Sequence, residues 1–152
     1  ILNFWGINNR LQPLQAVVAY KELSKINAVV KKRNKNAKLM DKLLSPIYPN
    51  VIIPSRPKGY LETYALYMCL VEKRDSLIRY LKKNNIETKI HYPIPLNKQR
   101  AAKKLTLNQN DFKIANYQSK RLITLPIHQY LNNENIIFIA SKIKNFYKNK
   151  KK

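Results

Sequence analysis

One cysteine, two glycines and eight acidic residues are all that 152 positions contain of those types. A lone cysteine excludes an internal disulfide framework and a cysteine-rich metal site. Cys69 lies in the apolar run "YALYMCLV", where it is expected as a small buried hydrophobe in a reducing compartment. With only Gly6 and Gly59 there is no GxGxxG run, no phosphate-binding P-loop and no nucleophile elbow, all of which need glycine at fixed offsets. No apolar run approaches the roughly 20 residues that span a bilayer, and no charged-then-apolar leader opens the chain. The expectation is a soluble, cytoplasmic protein with no membrane partner.

The shortage of acids leaves 30 Lys and Arg against 8 Asp and Glu, a formal charge of +22. Such a balance invites a polyanion. Its distribution argues otherwise: lysines occur in nearly every segment, Asn and Ile are also over-used, and RGG, RNP-like and zinc-finger patterns are missing. Lys, Asn and Ile share A/T-rich codons, so coding bias accounts for the charge without a specific nucleic-acid partner. A basic nucleic-acid-binding module stays open as the rival function.

The pattern along the chain is α+β. Leu11, Leu14 and Val18 form one helical stripe and Met40, Leu43 and Leu44 another, which predicts a long arm bending near Ser24 to Asn27 with "KKRNKNAK" on its outer face. Pro46 and Pro49 end it. "VIIPSRPKG" predicts a short strand and turn, and residues 60–71 a longer strand buried on both faces. Asp75 is the expected N-cap of a helix carrying Leu77, Ile78 and Leu81. "IETKIHY" alternates as a strand, with Ile86, Thr88, Ile90 and Tyr92 facing one way and Glu87, Lys89 and His91 the other. A helix near residues 112–120, a strand "RLITLP" and a final helix on Ile136, Ala140, Ile143 and Tyr147 complete the list. Few, unevenly spaced strands imply a small mixed or antiparallel sheet packed by helices.

Two places offer chemistry. His91, before Pro93 and Pro95, stands where a strand feeds a rigid loop, a common setting for sites; its plain alternative is a solvated histidine beside Glu87. His128 follows a proline and is expected as a loop histidine. No second histidine or cysteine stands at metal-ligand spacing. In "GINNRLQPLQA" a glycine, Asn amides and the fork of Arg10 precede a helix, the ingredients of an anion site or, more plainly, of a cap and an exposed arginine.

That segment resembles the G-x-N-x-R-L-x-x-x-Q-A stretch of the DegT/DnrJ/EryC1/StrS sugar aminotransferases. "KKRNKNAKLMDKLL", "EKRDSLIRYLKKNNIETKIHYPIPLNKQ" and "LPIHQYLNNENIIFIASKI" are similar to three later stretches of the same family, in the same order. The resemblance implies the C-terminal small domain of a fold-type I pyridoxal-phosphate enzyme, with the large cofactor domain and its Schiff-base lysine absent, so that no catalytic residue is expected in this segment. It implies residues 1–45 as an inter-domain segment with a long helix or helix pair, 46–148 as the small domain and 149–152 as a basic disordered tail. On this view the chain, which opens with Ile1 rather than Met, is a fragment or one half of a split enzyme that begins at the junction with another domain.

Carried over residue by residue, Asn8 reaches the phosphate of pyridoxal 5′-phosphate in the neighbouring subunit of a homodimer, and Arg10 contacts cofactor or substrate phosphate. His91 and Tyr92 sit at the substrate mouth. The implied substrates are a nucleotide-linked keto-sugar and glutamate as amino donor, and the fragment alone is expected to be inactive. Asn97 departs from the histidine usual after P-L, which puts substrate contact there in question; Asn34 and Lys42 depart on a helix surface. A non-catalytic subunit of a split enzyme is the remaining alternative.

Overall fold

The computed structural model describes residues 11–105 and 107–149. Two helices open it: α1 (Pro13–Leu23) and α2 (Ile26–Leu44). Pro13, whose fixed φ suits a first helical position, starts α1, and the Gln12 N–H donates to Gln15 Oε1 at 2.9 Å. The break falls at Ser24 and Lys25, as the change of stripe predicts.

The sheet is antiparallel and three-stranded in the order β1 (Val51–Ile52), β2 (Tyr67–Val71), β3 (Leu122–Leu125). Its register sets Tyr67 opposite Leu125 and Cys69 opposite Ile123, all facing the core, while Met68 opposite Thr124 and Leu70 opposite Leu122 face the other way. Between β2 and β3 lie α3 (Arg74–Lys83), short 3-10 turns and α4 (Lys113–Arg121), and α5 (Asn133–Lys148) closes the fold. Among the described residues no helix is long and apolar enough to cross a membrane.

The core is built at the α2–α5 contact and the inner sheet face. Ala37, Met40 and Leu44 of α2 meet Ile136, Ile139, Ala140 and Ile143 of α5, with Leu77 and Leu81 of α3 filling the side. The stripes of α3 and α5 are those the spacing predicts, at i, i+4 and i, i+3 steps. Asn132 caps α5 reciprocally: its Oδ1 accepts from the Asn135 N–H at 2.8 Å, and Asn135 Oδ1 accepts from the Asn132 N–H at 3.0 Å. The far end is tied by the Tyr147 hydroxyl, which donates to the Glu72 carbonyl at 2.6 Å.

Four expectations are corrected. The long strand over 60–71 reduces to β2, whose burial alternates, because only one face of this sheet meets the core; Tyr60 and Leu61 are exposed. Asp75 does not cap α3. Lys73, in the left-handed region at φ 52°, is the N-cap, and Asp75 pairs with Arg74 at 3.0 Å in the first turn. "KKRNKNAK" is not an outer face: Asn36 and Ala37 are fully buried, and Arg33 and Asn34 are half-buried, since their donors satisfy loop carbonyls that would otherwise lack partners. Finally, "IETKIHY" forms a single bridge, Lys89 to Thr124, rather than a strand. Tyr92 is 76% exposed and His91 is the half-buried residue, the reverse of the alternation, because Thr124 offers His91 a partner on the outer sheet face.

Candidate functional site

The outer face of β3 positions the candidate site. Thr124 exchanges both backbone hydrogen bonds with Lys89: its N–H donates to the Lys89 carbonyl at 2.8 Å and its carbonyl accepts from the Lys89 N–H at 3.2 Å. This clamp carries residues 89–92 across the sheet. Two residues on, His91 Nδ1 lies 2.9 Å from Thr124 Oγ1. Glu87, the partner of the solvated-histidine alternative, pairs instead with Lys89 at 3.3 Å.

His91 and Tyr92 are neighbours with ring centroids 5.7 Å apart, edge to face, and the peptide between them is cis. They serve different cavities. His91 lines an open cavity of about 340 Å³ together with Leu66, Lys89, Thr124, Pro126 and His128. Tyr92 lines an apolar one of about 520 Å³ between the proline loop and α4, with Pro93, Leu96, Ala115, Gln118 and Ser119. Gln99 braces that loop by donating to the Ile94 carbonyl at 3.0 Å. Asn97, the departure from the family pattern, approaches Asn116 Oδ1 at 3.4 Å.

Two residues of the site carry no sequence signal. Thr124 looks like any strand threonine, and its link to His91 bridges 33 positions. His128, expected only as a loop residue, joins His91 at the same cavity. Its turn is held from below by Asn36, fully buried, whose Nδ2 donates to the His128 carbonyl at 3.3 Å and the Leu131 carbonyl at 3.2 Å. Arg33 adds a bond to Gln129 Oε1 at 3.1 Å. α2 therefore works as a polar clamp under two loops, the second being residues 62–64, held through Asn34 and Arg33.

A second polar cluster is structural. Arg56 meets Asp41 at 3.2 Å and Glu62 at 3.3 Å, and its guanidinium lies 5.3 Å and 5.5 Å from the ring centroids of Tyr64 and Tyr67. The Tyr67 hydroxyl donates to Asp41 Oδ1 at 2.6 Å. Burial first, and then that bond, hold this hydroxyl well above the ordinary tyrosine range, so it stays a donor. Burial likewise pushes the Cys69 thiol up to about 12, which makes it unreactive. Among the described residues no three His, Cys, Asp or Glu gather to hold a metal ion.

Asn8 and Arg10, the expected phosphate contacts, lie outside the described residues. The described chain after them begins with an anomaly: α1 has no buried residue, and Leu11, Leu14, Val17, Val18, Tyr20, Leu23 and Ile26 are all exposed.

Residues 2–144 match the family model described as the DegT/DnrJ/EryC1/StrS aminotransferase family. Among curated relatives, the chain is 26% identical over 144 residues to a pleiotropic regulatory protein of Geobacillus stearothermophilus, covering 94% of this chain and 39% of the relative. It is 29% identical over 140 residues to UDP-2-acetamido-2-deoxy-3-oxo-D-glucuronate aminotransferase of Pseudomonas aeruginosa, covering 92% and 38%. Its fold superposes on a DegT DnrJ EryC1 StrS aminotransferase from Brucella abortus with a TM-score of 0.82 and 28% identity, over 93% of this chain and 37% of that one. The chain thus spans less than two fifths of the length of each of these three.

Proposed function

The chain belongs to the DegT/DnrJ/EryC1/StrS aminotransferase family, and from that premise we propose that it acts as the C-terminal part of a pyridoxal-phosphate-dependent aminotransferase that converts a keto group on a nucleotide-linked sugar to an amine, with glutamate as donor. The similarity to an enzyme named for an oxo-sugar nucleotide supports the substrate class. Catalysis would take place in a homodimer with shared sites, and the product would serve amino-sugar biosynthesis.

Pyridoxal phosphate, when bound, supplies the electron sink through which an amino group moves. The described residues do not fit it: none of their lysines is buried, and the buried polar groups Asn36, Thr124, Tyr67 and Tyr147 are engaged within the fold. Holding the cofactor therefore falls to residues beyond them, with Asn8 assigned to its phosphate and Arg10 to cofactor or substrate phosphate. His91 and Tyr92 are assigned to the substrate side, His91 as a polar contact and Tyr92 as an exposed ring beside an apolar cavity. The Thr124 clamp supports the His91 assignment, since it places that side chain before a ligand arrives.

The observation that carries the partial-enzyme reading is α1, a helix with seven large, exposed apolar residues in and around it and no core of its own. A helix that is apolar round its circumference is one that other parts of a protein normally cover. Residues 11–24 also carry only Lys21 and Glu22 as charges, in a chain of net +22, so this helix suits an apolar partner surface and not a polyanion. The rival nucleic-acid reading has less support: lysines occur on all five helices and are not confined to one element.

The test is the intact mass of the native polypeptide in its source, joined to an assay of amino transfer from glutamate to a nucleotide-linked keto-sugar. The expected native mass is larger by on the order of 200 residues, or the chain co-purifies with a partner of that size, and the isolated chain does not transaminate. Turnover by the isolated chain, or a native mass of 17.9 kDa without a partner, overturns the reading.

A further inference from the structure

The contact between His91 Nδ1 and Thr124 Oγ1 has a direction that the surroundings decide. Thr124 is 8% exposed, and both of its backbone groups are committed to Lys89. Among the described residues its hydroxyl has no other hydrogen-bond partner than Nδ1. A hydroxyl can donate or accept, but its proton must go somewhere, and a buried proton without an acceptor is costly. The Nδ1 lone pair is the acceptor within reach.

We infer that Thr124 is the positioning residue of the site: its hydroxyl donates to Nδ1 and so holds His91 in the tautomer that carries its proton on Nε2. The ring then presents an N–H donor to an oxygen-bearing ligand group, such as a sugar hydroxyl, a carbonyl or a phosphate oxygen, in the cavity it shares with His128. Nε2 has no hydrogen-bond partner among the described residues, and the cavity it borders is open. The charged residues lining that cavity, Glu87 and Lys89, pair with each other at 3.3 Å. His128 reaches the same space from the segment after β3, supported by Asn36. The arrangement is the familiar one in which the bond at one ring nitrogen determines what the other can do.

The identity of the ligand rests on the aminotransferase reading; the tautomer does not. The experiment is a two-bond ¹H–¹⁵N correlation spectrum of His91 in this chain at about pH 8.5, above the ordinary titration range of imidazole, compared with Thr124→Val and Thr124→Ser. The expected spectrum shows an unprotonated Nδ1 and a protonated Nε2. Thr124→Val, nearly the same shape, should lower the ratio of that tautomer to the other about fivefold, the equivalent of one ordinary hydrogen bond, and Thr124→Ser should restore it. A proton on Nδ1 in the unaltered chain overturns the inference even if the valine variant does not fold. So does a valine variant that folds with an unchanged spectrum. Failure of amino transfer in the assembled protein would remove the substrate reading and leave the tautomer result standing.

Discussion

Replacing Asn36 tests whether α2 supports the site from beneath. The side chain is wholly buried, donates to the His128 and Leu131 carbonyls at 3.3 and 3.2 Å, and leaves its Oδ1 without a partner among the described residues. Both bonds are longer than the usual mode, so each is placed at the lower part of the ordinary range, about 0.5–1 kcal/mol. Asn36→Ala loses both and opens a small void worth about 1 kcal/mol. It also removes the unpaired Oδ1, whose burial costs about 1 kcal/mol or more. The net expectation is a loss of about 1–2 kcal/mol.

Asn36→Asp should be far worse, about 3–5 kcal/mol. A buried carboxylate would face two carbonyl oxygens with no proton to offer them. Urea unfolding followed by far-UV circular dichroism reads both changes as shifts in midpoint at constant slope. Exposed Lys35→Ala serves as the control, expected within about 0.5 kcal/mol of the unaltered chain. Amide exchange in the turn at residues 128–131 should quicken in the alanine variant. An aspartate variant as stable as the parent, or an alanine variant no weaker than the lysine control, would refute the polar clamp.

Two further outcomes follow from the polar cluster and the core thiol. Arg56→Ala should cost about 1–3 kcal/mol in the same urea assay, because Asp41 and Glu62 lose their common cation while Asp41 stays bound to Tyr67, and Arg56→Lys should recover less than half; full recovery by lysine would show that charge alone matters. Cys69, with a folded-state pKa raised from 9.0 to about 12, contributes stability that is complete below pH 9 and is lost as pH rises from there toward 12. Cys69→Ala should therefore flatten the fall in urea midpoint over that window, and an equally steep fall would assign the alkaline loss to Tyr67 and Tyr147, whose hydroxyls burial also raises.

Where the sequence was legible, the signal was periodic and local. α5 shows its buried stripe at Ile136, Ala140, Ile143 and Tyr147, and α3 at Leu77 and Leu81, because a helix that buries one face must repeat its apolar residues at that spacing. The break between α1 and α2 is visible for the same reason, as one stripe gives way to another. What periodicity does not carry is a polar residue facing inward to serve a distant loop. Asn36 meets the turn 92 and 95 residues away, and within "KKRNKNAK" nothing separates it from solvent-facing neighbours.

The site divides along the same line. His91 stood out through its own sequence neighbours, while Thr124 and His128 become visible only once β3 is laid beside residues 89–92. Residues 60–66 misled because their apolar content is that of a strand, yet among the described residues no strand pairs with them. Tyr64 even takes a positive φ of 47° there, with its carbonyl accepting from Arg33.

The division of labour between the two cations has an evolutionary consequence. Among the described cationic side chains, Arg33, Arg56, Arg74 and Arg121 make long-range polar contacts, whereas the lysine ion pairs, Lys25 with Glu22 and Lys89 with Glu87, are local and exposed. A single base change turns some arginine codons into lysine codons, so drift toward lysine is easy at the level of the gene. The fold can absorb that drift on its helix exteriors, where one charge is as good as another. It resists it at these four positions, where a planar fork holds two partners at once, reaches a distant carbonyl or, at Arg121, pairs with Glu72 while lying 4.0 Å from the centroid of the Tyr117 ring. Such positions act as fixed points around which the rest of the surface is free to change.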